Sequence, residues 1–189
     1  MAPTGLYQKR WRWLALAKNT YLDDLIGYKH RVIYDLASSP DVVGLLLDKP
    51  KVDMDSDAAY EVVGNNIYDF DYVDRAIQRN DAYIMVEAEM ANPTSGSMAR
   101  WWLYVQIVCA KEYNPLDAKK FKGVVGNRRD NLAKQVDLII NGRDDLGIGH
   151  IELANAGPAT VPDTFTSIML TYEIHDFRHE RLVERVKTR

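Results

Sequence analysis

Between Asp81 and Tyr113 the chain alternates side-chain character for longer than an ordinary strand pair needs, and no other stretch restricts the fold as much. Ala82, Ile84, Val86, Ala88 and Met90 are apolar, while Tyr83, Glu87 and Glu89 occupy positions between them. That period of two is the mark of a half-buried strand. Asn92, Pro93, Thr94, Ser95, Gly96 and Ser97 are turn formers, too many for a two-residue turn but suited to an exposed hairpin tip. The return arm, Arg100 to Lys111, sets Trp101, Leu103, Val105, Ile107 and Cys109 on one face and Trp102, Tyr104, Gln106 and Val108 on the other. Both faces are largely apolar, so neither is plainly given to solvent. Strands usually run about 5 or 6 residues, and at roughly 3.3 Å per residue this arm would reach on the order of 40 Å. Three outcomes are open: a bulge breaks the arm, the hairpin is the long central pair of a monomeric sheet, or it protrudes beyond its sheet to touch a partner.

The flanking segments supply helices first and strands afterwards. Residues 1–19 form a basic aromatic segment in which Tyr7, Trp11 and Trp13 are interleaved with Lys9, Arg10, Arg12 and Lys18. It reads either as a short terminal helix on its own domain or as an arm that packs on a neighbour, since aromatic residues and Arg are enriched in interface cores. Thr20 is a candidate N-cap with Asp23 three residues on, opening a helix from Tyr21 to Leu36 with a stripe of Leu22, Leu25, Ile26, Val32, Ile33 and Leu36. Ser39, Pro40 and Asp41 open a second helix that ends near Leu47. After an acidic loop, Ile67, Tyr68, Phe70 and Tyr72 suggest a short strand or a segment pinned by its aromatics. Beyond the hairpin, Val124 to Asn141 is the best amphipathic pattern in the chain. Val125, Leu132, Val136 and Ile139 share one face, Ala133 and Ile140 lie beside it, and Arg128, Asp130, Lys134 and Asp137 lie elsewhere. Two strands complete the domain, Ile148 to Ala154 and Ser167 to Phe177. This order predicts an α+β fold: an antiparallel sheet or sandwich with a long protruding hairpin, a helix packed on one face and N-terminal helices. The predicted domain is residues 20–177, followed by a basic tail, 178–189, with Arg178, Arg181, Arg185, Lys187 and Arg189.

The residue types leave little for chemistry. Cys109 is the single cysteine, so neither a disulfide framework nor a cysteine metal site is expected, and its apolar strand disfavours the thiolate. No run approaches the roughly 20 apolar residues of a membrane span, and the start of the chain lacks a signal-peptide core, so an unexported protein is expected. Asp53, Asp55 and Asp57 alternate as in a calcium loop, but Ala58 and Gly64 stand where its turn glycine and bidentate Glu belong. His150 and Glu152 form half of a deaminase signature whose cysteine half is missing, and His175, Asp176 and His179 read as a strand end rather than a metal site. Gly123, Gly126, Asn127 and Arg128 form no phosphate loop, because no apolar strand leads into them. No catalytic, cofactor-binding or metal residue is therefore expected. The net charge of -3 combines basic ends with an acidic body from Asp41 to Glu89. This opposes the electrostatic attraction that dominates nucleic-acid affinity and suits subunits meeting head to tail.

One phrase stands out within this frame. Gly126-Asn127-Arg128-Arg129-Asp130-Asn131-Leu132, continuing to Val136-Asp137-Leu138-Ile139-Ile140-Asn141-Gly142, resembles the helix of neck proteins of tailed bacteriophages, chiefly the head-closure or stopper type and more distantly tail terminators. Thr171-Tyr172-Glu173-Ile174-His175-Asp176-Phe177 is similar to the phrase that ends their last strand, and Ser39-Pro40-Asp41-Val42-Val43 to their amino-terminal half. Together the resemblance spans about residues 20 to 177. It implies a structural virion protein, assembled in the host cytoplasm, that forms a ring, commonly six-fold. The ring would lie between portal or adaptor and tail, with DNA passing through without specific binding. A tail terminator capping the tail tube is the alternative; a small-molecule enzyme and a single-stranded nucleic-acid binder are further ones. On this reading the candidate partner interface is Tyr7, Arg10, Trp11, Arg12, Trp13, Met98, Arg100, Trp101, Trp102, Arg178, Arg181 and Arg185. The candidate channel or axial acidic loop is Asp53, Asp55, Asp57 and Glu61. The chain exceeds the small head-closure proteins by its basic arm and its extended acidic segment.

Overall fold

A computed structural model of the chain describes residues 21–54, 61–70, 81–91 and 98–177. Helix α1 spans Tyr21–Ala37, and α2 spans Pro40–Leu46. The Ser39 hydroxyl accepts from the Val42 amide at 3.4 Å, and Pro40 takes the first turn, where its missing N–H costs nothing. Strand β1 (Ile67–Tyr68) precedes the ribbon β2 (Ala82–Ala91) and β3 (Met98–Ala110). Helix α3 (Arg128–Ile140) follows, then β4 (Ile148–Gly157) and β5 (Phe165–Phe177). Thr20, the expected cap of α1, lies outside the described residues.

The strands form one sheet in the order β1-β2-β3-β5-β4. All pairs are antiparallel except β1 with β2, which is parallel, so the sheet is mixed. The length of β3 is matched by a companion, because β5 pairs with it from Ala110 opposite Phe165 to Met98 opposite Phe177. No bulge interrupts that pairing; the register shifts are in the β4–β5 pair. Over its described strands the ribbon therefore lies within the sheet: β3 is paired on both sides, and β2 is flanked by β1 only at Ile84 and Met85. The expected tip, residues 92–97, lies outside the described residues.

Helices α1, α2 and α3 pack on one face and bury its apolar row. Ala82, Ile84, Val86, Trp101, Leu103, Val105, Ile107, Cys109, Leu170, Tyr172 and Ile174 join Leu36, Val42, Leu46, Leu132, Val136 and Ile140 in one core. Two helical stripes differ from expectation. In α1, Ile26 is 39% exposed, while Tyr28 packs edge-on against Trp101 with ring centroids 6.3 Å apart. Helix α3 begins at Arg128 rather than Val124, and Val125 is outside the helix and exposed. The reason is local chemistry. Gly126 has φ +95°, a left-handed backbone that stops a helix from propagating through it, and Asn127 is an extended N-cap.

Every amide of the first turn of α3 has a partner. Arg128 N–H donates to the Asn114 carbonyl (2.8 Å), Arg129 N–H to the Asn114 side chain (3.0 Å) and Asp130 N–H to Asn127 Oδ1 (2.9 Å). The Asn127 side-chain Nδ2 in turn donates to the Asp130 carboxylate at 2.7 Å, so the cap and the third helical residue hold each other. At the other end Asn141 and Gly142 close the helix, a C-cap pair by residue type, with Gly142 at φ +81° and its N–H donating to the Ile151 carbonyl.

Candidate partner-binding face

The helices leave the opposite face of the sheet to the residues that alternate with the core row. Across β2, β3, β5 and β4 the pairing aligns Glu89, Trp102, Glu173 and Glu152 in one row and Glu87, Tyr104, Thr171 and Asn155 in the next. Beyond these come Met85, Gln106, Met169 and Gly157, then Tyr83, Val108 and Ser167. The far end of this face is closed: Tyr83, Met85 and Val108 are buried with Tyr68, Val161 and Phe165 packed against them. Tyr68 stacks near Phe70 and Tyr83 at centroid distances of 5.0 and 6.3 Å, so the aromatic segment before the hairpin is pinned as its composition suggested. Tyr72 lies outside the described residues.

The near end is open. Among the described residues no helix covers it, and a concavity of about 470 Å³ lies there, lined by Met85, Glu87, Glu89, Tyr104, Gln106 and Met169. Trp102, Tyr104 and Met169 are only half-buried in the isolated subunit, and Glu89 and Glu152 are exposed. The Arg100 guanidinium lies 5.7 Å from the Trp102 ring centre and 3.2 Å from Glu173, which also meets His175 at 3.3 Å. Tyr104 donates to Glu89 at 3.2 Å; burial first and the Glu89 charge second push its phenol above the ordinary value. Lys29 reaches Glu87 from α1 at 2.7 Å. Glu152 and Glu173 are direct cross-strand partners, an arrangement of like charges that is unfavourable by itself. The face therefore combines aromatic surface with excess carboxylate.

The expected interface residues divide accordingly. Arg100 and Trp102 lie together on the open face. Trp101 is 1% exposed and buried beneath α1, because alternation along β3 turns it inward; as a partner-contacting residue it is corrected to a core residue. Its indole N–H finds no hydrogen-bond partner among the described residues. Met98 opens β3 opposite Phe177. Tyr7, Arg10, Trp11, Arg12, Trp13, Arg178, Arg181 and Arg185 lie outside the described residues, as do Asp55 and Asp57. Asp53 and Glu61 are exposed.

Behind the core a second cluster holds the helices to the sheet, and its central residue was assigned to the wrong side of α3 by periodicity. Arg128 is 2% exposed. Its Nε donates to the Tyr113 carbonyl (2.8 Å), Nη1 to the Leu45 carbonyl and Nη2 to Asp48 Oδ1 (2.5 Å), and its guanidinium lies 3.9 Å from the Tyr113 ring centre. A side chain in a helix leans toward the N-terminus, so an Arg at the first position covers ground before the helix rather than beside it. The usable signal was the Asn127-x-x-Asp130 cap, which places Arg128 at that position. Lys120 also binds Asp48. Burial raises the Asp48 pKa, but the hydrogen bonds from Lys120 and Arg128 outweigh it and hold the carboxyl below its ordinary value.

A third cluster joins Arg143 to Asp35 (2.6 Å) and Asp145 (2.8 Å), with Arg31 on Asp145. The Arg143 hydrogen bond lowers the Asp145 pKa. Both carboxyls thus titrate lower in the folded chain than their ordinary 3.8. As the medium is acidified the unfolded chain takes up these protons first, so the stabilisation is complete above that value and disappears as pH falls through the folded pKa. Thermal melts between about pH 5 and pH 2 should show the midpoint falling with acidification, less steeply in Asp48→Asn. Asp145 should contribute less, since its side chain is 47% exposed and solvent screens the pair.

The described residues hold no group of three His, Cys, Asp or Glu placed for a metal ion. Burial pushes the Cys109 thiol up to about 12, which removes it as a nucleophile near neutral pH. No helix among them is long and apolar enough to cross a membrane.

In class, then, this is a two-layer α+β domain: among the described residues, helices α1, α2 and α3 shield one side of a five-stranded mixed sheet and leave an acidic, aromatic strip open on the other. The chain belongs to the YomW family, which it matches over residues 39–174, well over half its length. Among solved structures, a chain from the virion of a native gene transfer agent particle is similar at a TM-score of 0.47 and 13% sequence identity, over 84% of this chain and 99% of that one. Among curated proteins none matches.

Proposed function

We propose that this chain is a structural protein of a tailed-phage virion. It assembles as a ring, six-fold in the commonest arrangement, that joins portal or adaptor to tail around the DNA channel. The observation that carries the reading is the order in which its elements are built. A long ribbon, β2–β3, is followed by a helix opened by the Gly126 to Asp130 phrase, then by two strands of which the last carries the Thr171 to Phe177 phrase. In the neck proteins that the chain resembles, the helix likewise follows a long β-hairpin and precedes two strands.

The surface supports the same reading. A monomeric protein gains nothing from half-exposed Trp102 and Tyr104 beside a concavity, whereas a subunit covers them on assembly. Beyond the short β1 contact, Ile67 to Ile84 and Tyr68 to Met85, the far part of β2 has a strand neighbour on one side only among the described residues, which leaves an edge for contact between subunits. The exposed acids of the candidate channel loop, Asp53 and Glu61 among the described residues, would repel phosphate, which fits passage of DNA without adhesion rather than specific binding.

Native mass spectrometry over a rising concentration series tests this. A closed oligomer of one stoichiometry is expected. A monomer that retains a tightly bound small molecule would overturn the reading in favour of an enzyme.

A further inference from the structure

We propose that the open sheet face is the seat of the N-terminal segment, residues 1–19, of a neighbouring copy of this chain. The inference rests on the ring reading and names the contact that would link its subunits.

The face offers two things to an occupant. The row Glu89, Trp102, Glu173 and Glu152 crosses four strands with three carboxylates and one indole, and Glu87 stands in the next row. Against these the subunit supplies Arg100 and His175 at Glu173, and Lys29 at Glu87 around the sheet edge. Glu173 and Glu152 face each other directly, so a cation arriving between them relieves a repulsion already present in the free subunit. Beside the row, the concavity of about 470 Å³ has apolar walls in Met85, Met169 and Tyr104. It is large enough to receive an aromatic ring with a guanidinium beside it.

The first 19 residues hold the complementary set. Lys9, Arg10, Arg12 and Lys18 are its cations and no acid precedes Asp23, while Tyr7, Trp11 and Trp13 are its aromatics. Within four residues, Arg10 and Arg12 supply guanidinium forks for carboxylates and Trp11 and Trp13 supply indoles for apolar ground. The other basic segment, 178–189, fits less well, because Glu180 and Glu184 dilute its charge and it contains no Trp, Tyr or Phe. Nucleic acid is opposed by the carboxylates.

The test uses four full-length chains: wild type, a face variant (Glu89→Lys with Glu152→Lys), an arm variant (Arg10→Glu with Arg12→Glu), and the chain carrying all four changes. Glu89 and Glu152 are exposed, so their reversal leaves the core untouched. Circular dichroism and thermal melts establish that each chain is folded. Mass photometry and sedimentation then read the assembly.

The face and arm variants alone should each weaken assembly by about tenfold or more, since each sets like charges against one another in the interface. Mixing the two variants should restore it. The wild-type arm of one then meets the wild-type face of the other, and reversed arm meets reversed face. The fourfold variant should also assemble.

An arm seated on its own subunit predicts no recovery on mixing, because each chain stays mismatched with itself; that result overturns the proposal. So does assembly by either variant at wild-type strength. The ring reading is judged separately by the same data. A wild-type assembly that is an exchanged dimer, broken by each variant and restored by mixing, keeps the seat and ends the ring. A ring indifferent to all four substitutions does the reverse. A wild type that stays monomeric at every concentration overturns both.

Discussion

Replacing Arg128 with methionine is expected to lower the unfolding free energy by about 3–5 kcal/mol, the cost of leaving one member of a buried charged cluster without its partner. Methionine retains much of the apolar stem but has no donor. The Tyr113 and Leu45 carbonyls lose their hydrogen bonds in a place with little access to water, at about 1–3 kcal/mol for each acceptor left unsatisfied. Asp48 keeps Lys120 but loses the Arg128 fork, and its residue holds a left-handed φ of +57°. Four segments meet at this guanidinium: the end of α2, the Asp48 turn, the loop after β3 and the start of α3. Its loss should therefore loosen both short helices from the sheet rather than one contact.

Lysine should recover only part of the effect, because one ammonium cannot span three acceptors or lie flat against the Tyr113 ring as a guanidinium does. Asp48→Asn should be milder, about 0.5–1.5 kcal/mol, since an amide oxygen still accepts. Urea denaturation of the three variants measures these values. With a whole domain worth about 5–15 kcal/mol, a loss of this size is conspicuous. A methionine variant within 1 kcal/mol of wild type, on the order of one ordinary hydrogen bond, would mean that the cluster is ornamental.

Alanine at Gly147 is expected to be the most damaging of the small substitutions, and alanine at Gly142 supplies its control. Both glycines have φ +81°, so both changes force an L side chain into the left-handed region at a cost of about 1–2 kcal/mol. Their surroundings differ. A Cβ at Gly142 meets nothing within 4 Å, whereas one at Gly147 would lie 2.2 Å from the His175 carbonyl oxygen and 2.9 Å from Ile174 Cγ2. Backbone must move to make room, which adds roughly 1–3 kcal/mol. The expected loss is about 2–5 kcal/mol at Gly147. Thermal melts of the two variants should differ by the clash alone, and equal losses would show that the approach of Gly147 to β5 is not needed. The displaced strand end carries Glu173 and His175, so the Gly147 variant should also assemble less well.

Much of this architecture was legible without coordinates. The ribbon was readable because alternation over ten or more residues has a single structural meaning when the two rows differ in polarity. It correctly set Trp101, Leu103, Val105, Ile107 and Cys109 on one face and Trp102, Tyr104, Gln106 and Val108 on the other. The Ser39-Pro40-Asp41 start of α2 and the Asn141-Gly142 end of α3 were equally plain, since caps are short-range chemistry. Two helix details went the wrong way. Val124 and Val125 extended the apolar period of α3 past Gly126, and periodicity carries no information about where backbone sign changes stop a helix. Ile26 was placed in the stripe of α1 although its neighbour Tyr28 is the residue that reaches Trp101.

By itself, then, the order of residues determined which elements form, which rows of the ribbon are apolar, and that the chain has basic ends on an acidic body. These depend on spacing and on immediate neighbours. Only the tertiary structure decided that β5 runs the length of β3, that Trp101 is core while Trp102 is surface, that Arg128 turns inward to Asp48 across 80 residues, and that Glu89, Glu173 and Glu152 share a row. Each of these is a meeting of distant segments. Whether an arginine is a solvated charge or a buried clasp, and whether three glutamates are scattered or aligned, depends on what the other elements bring beside it.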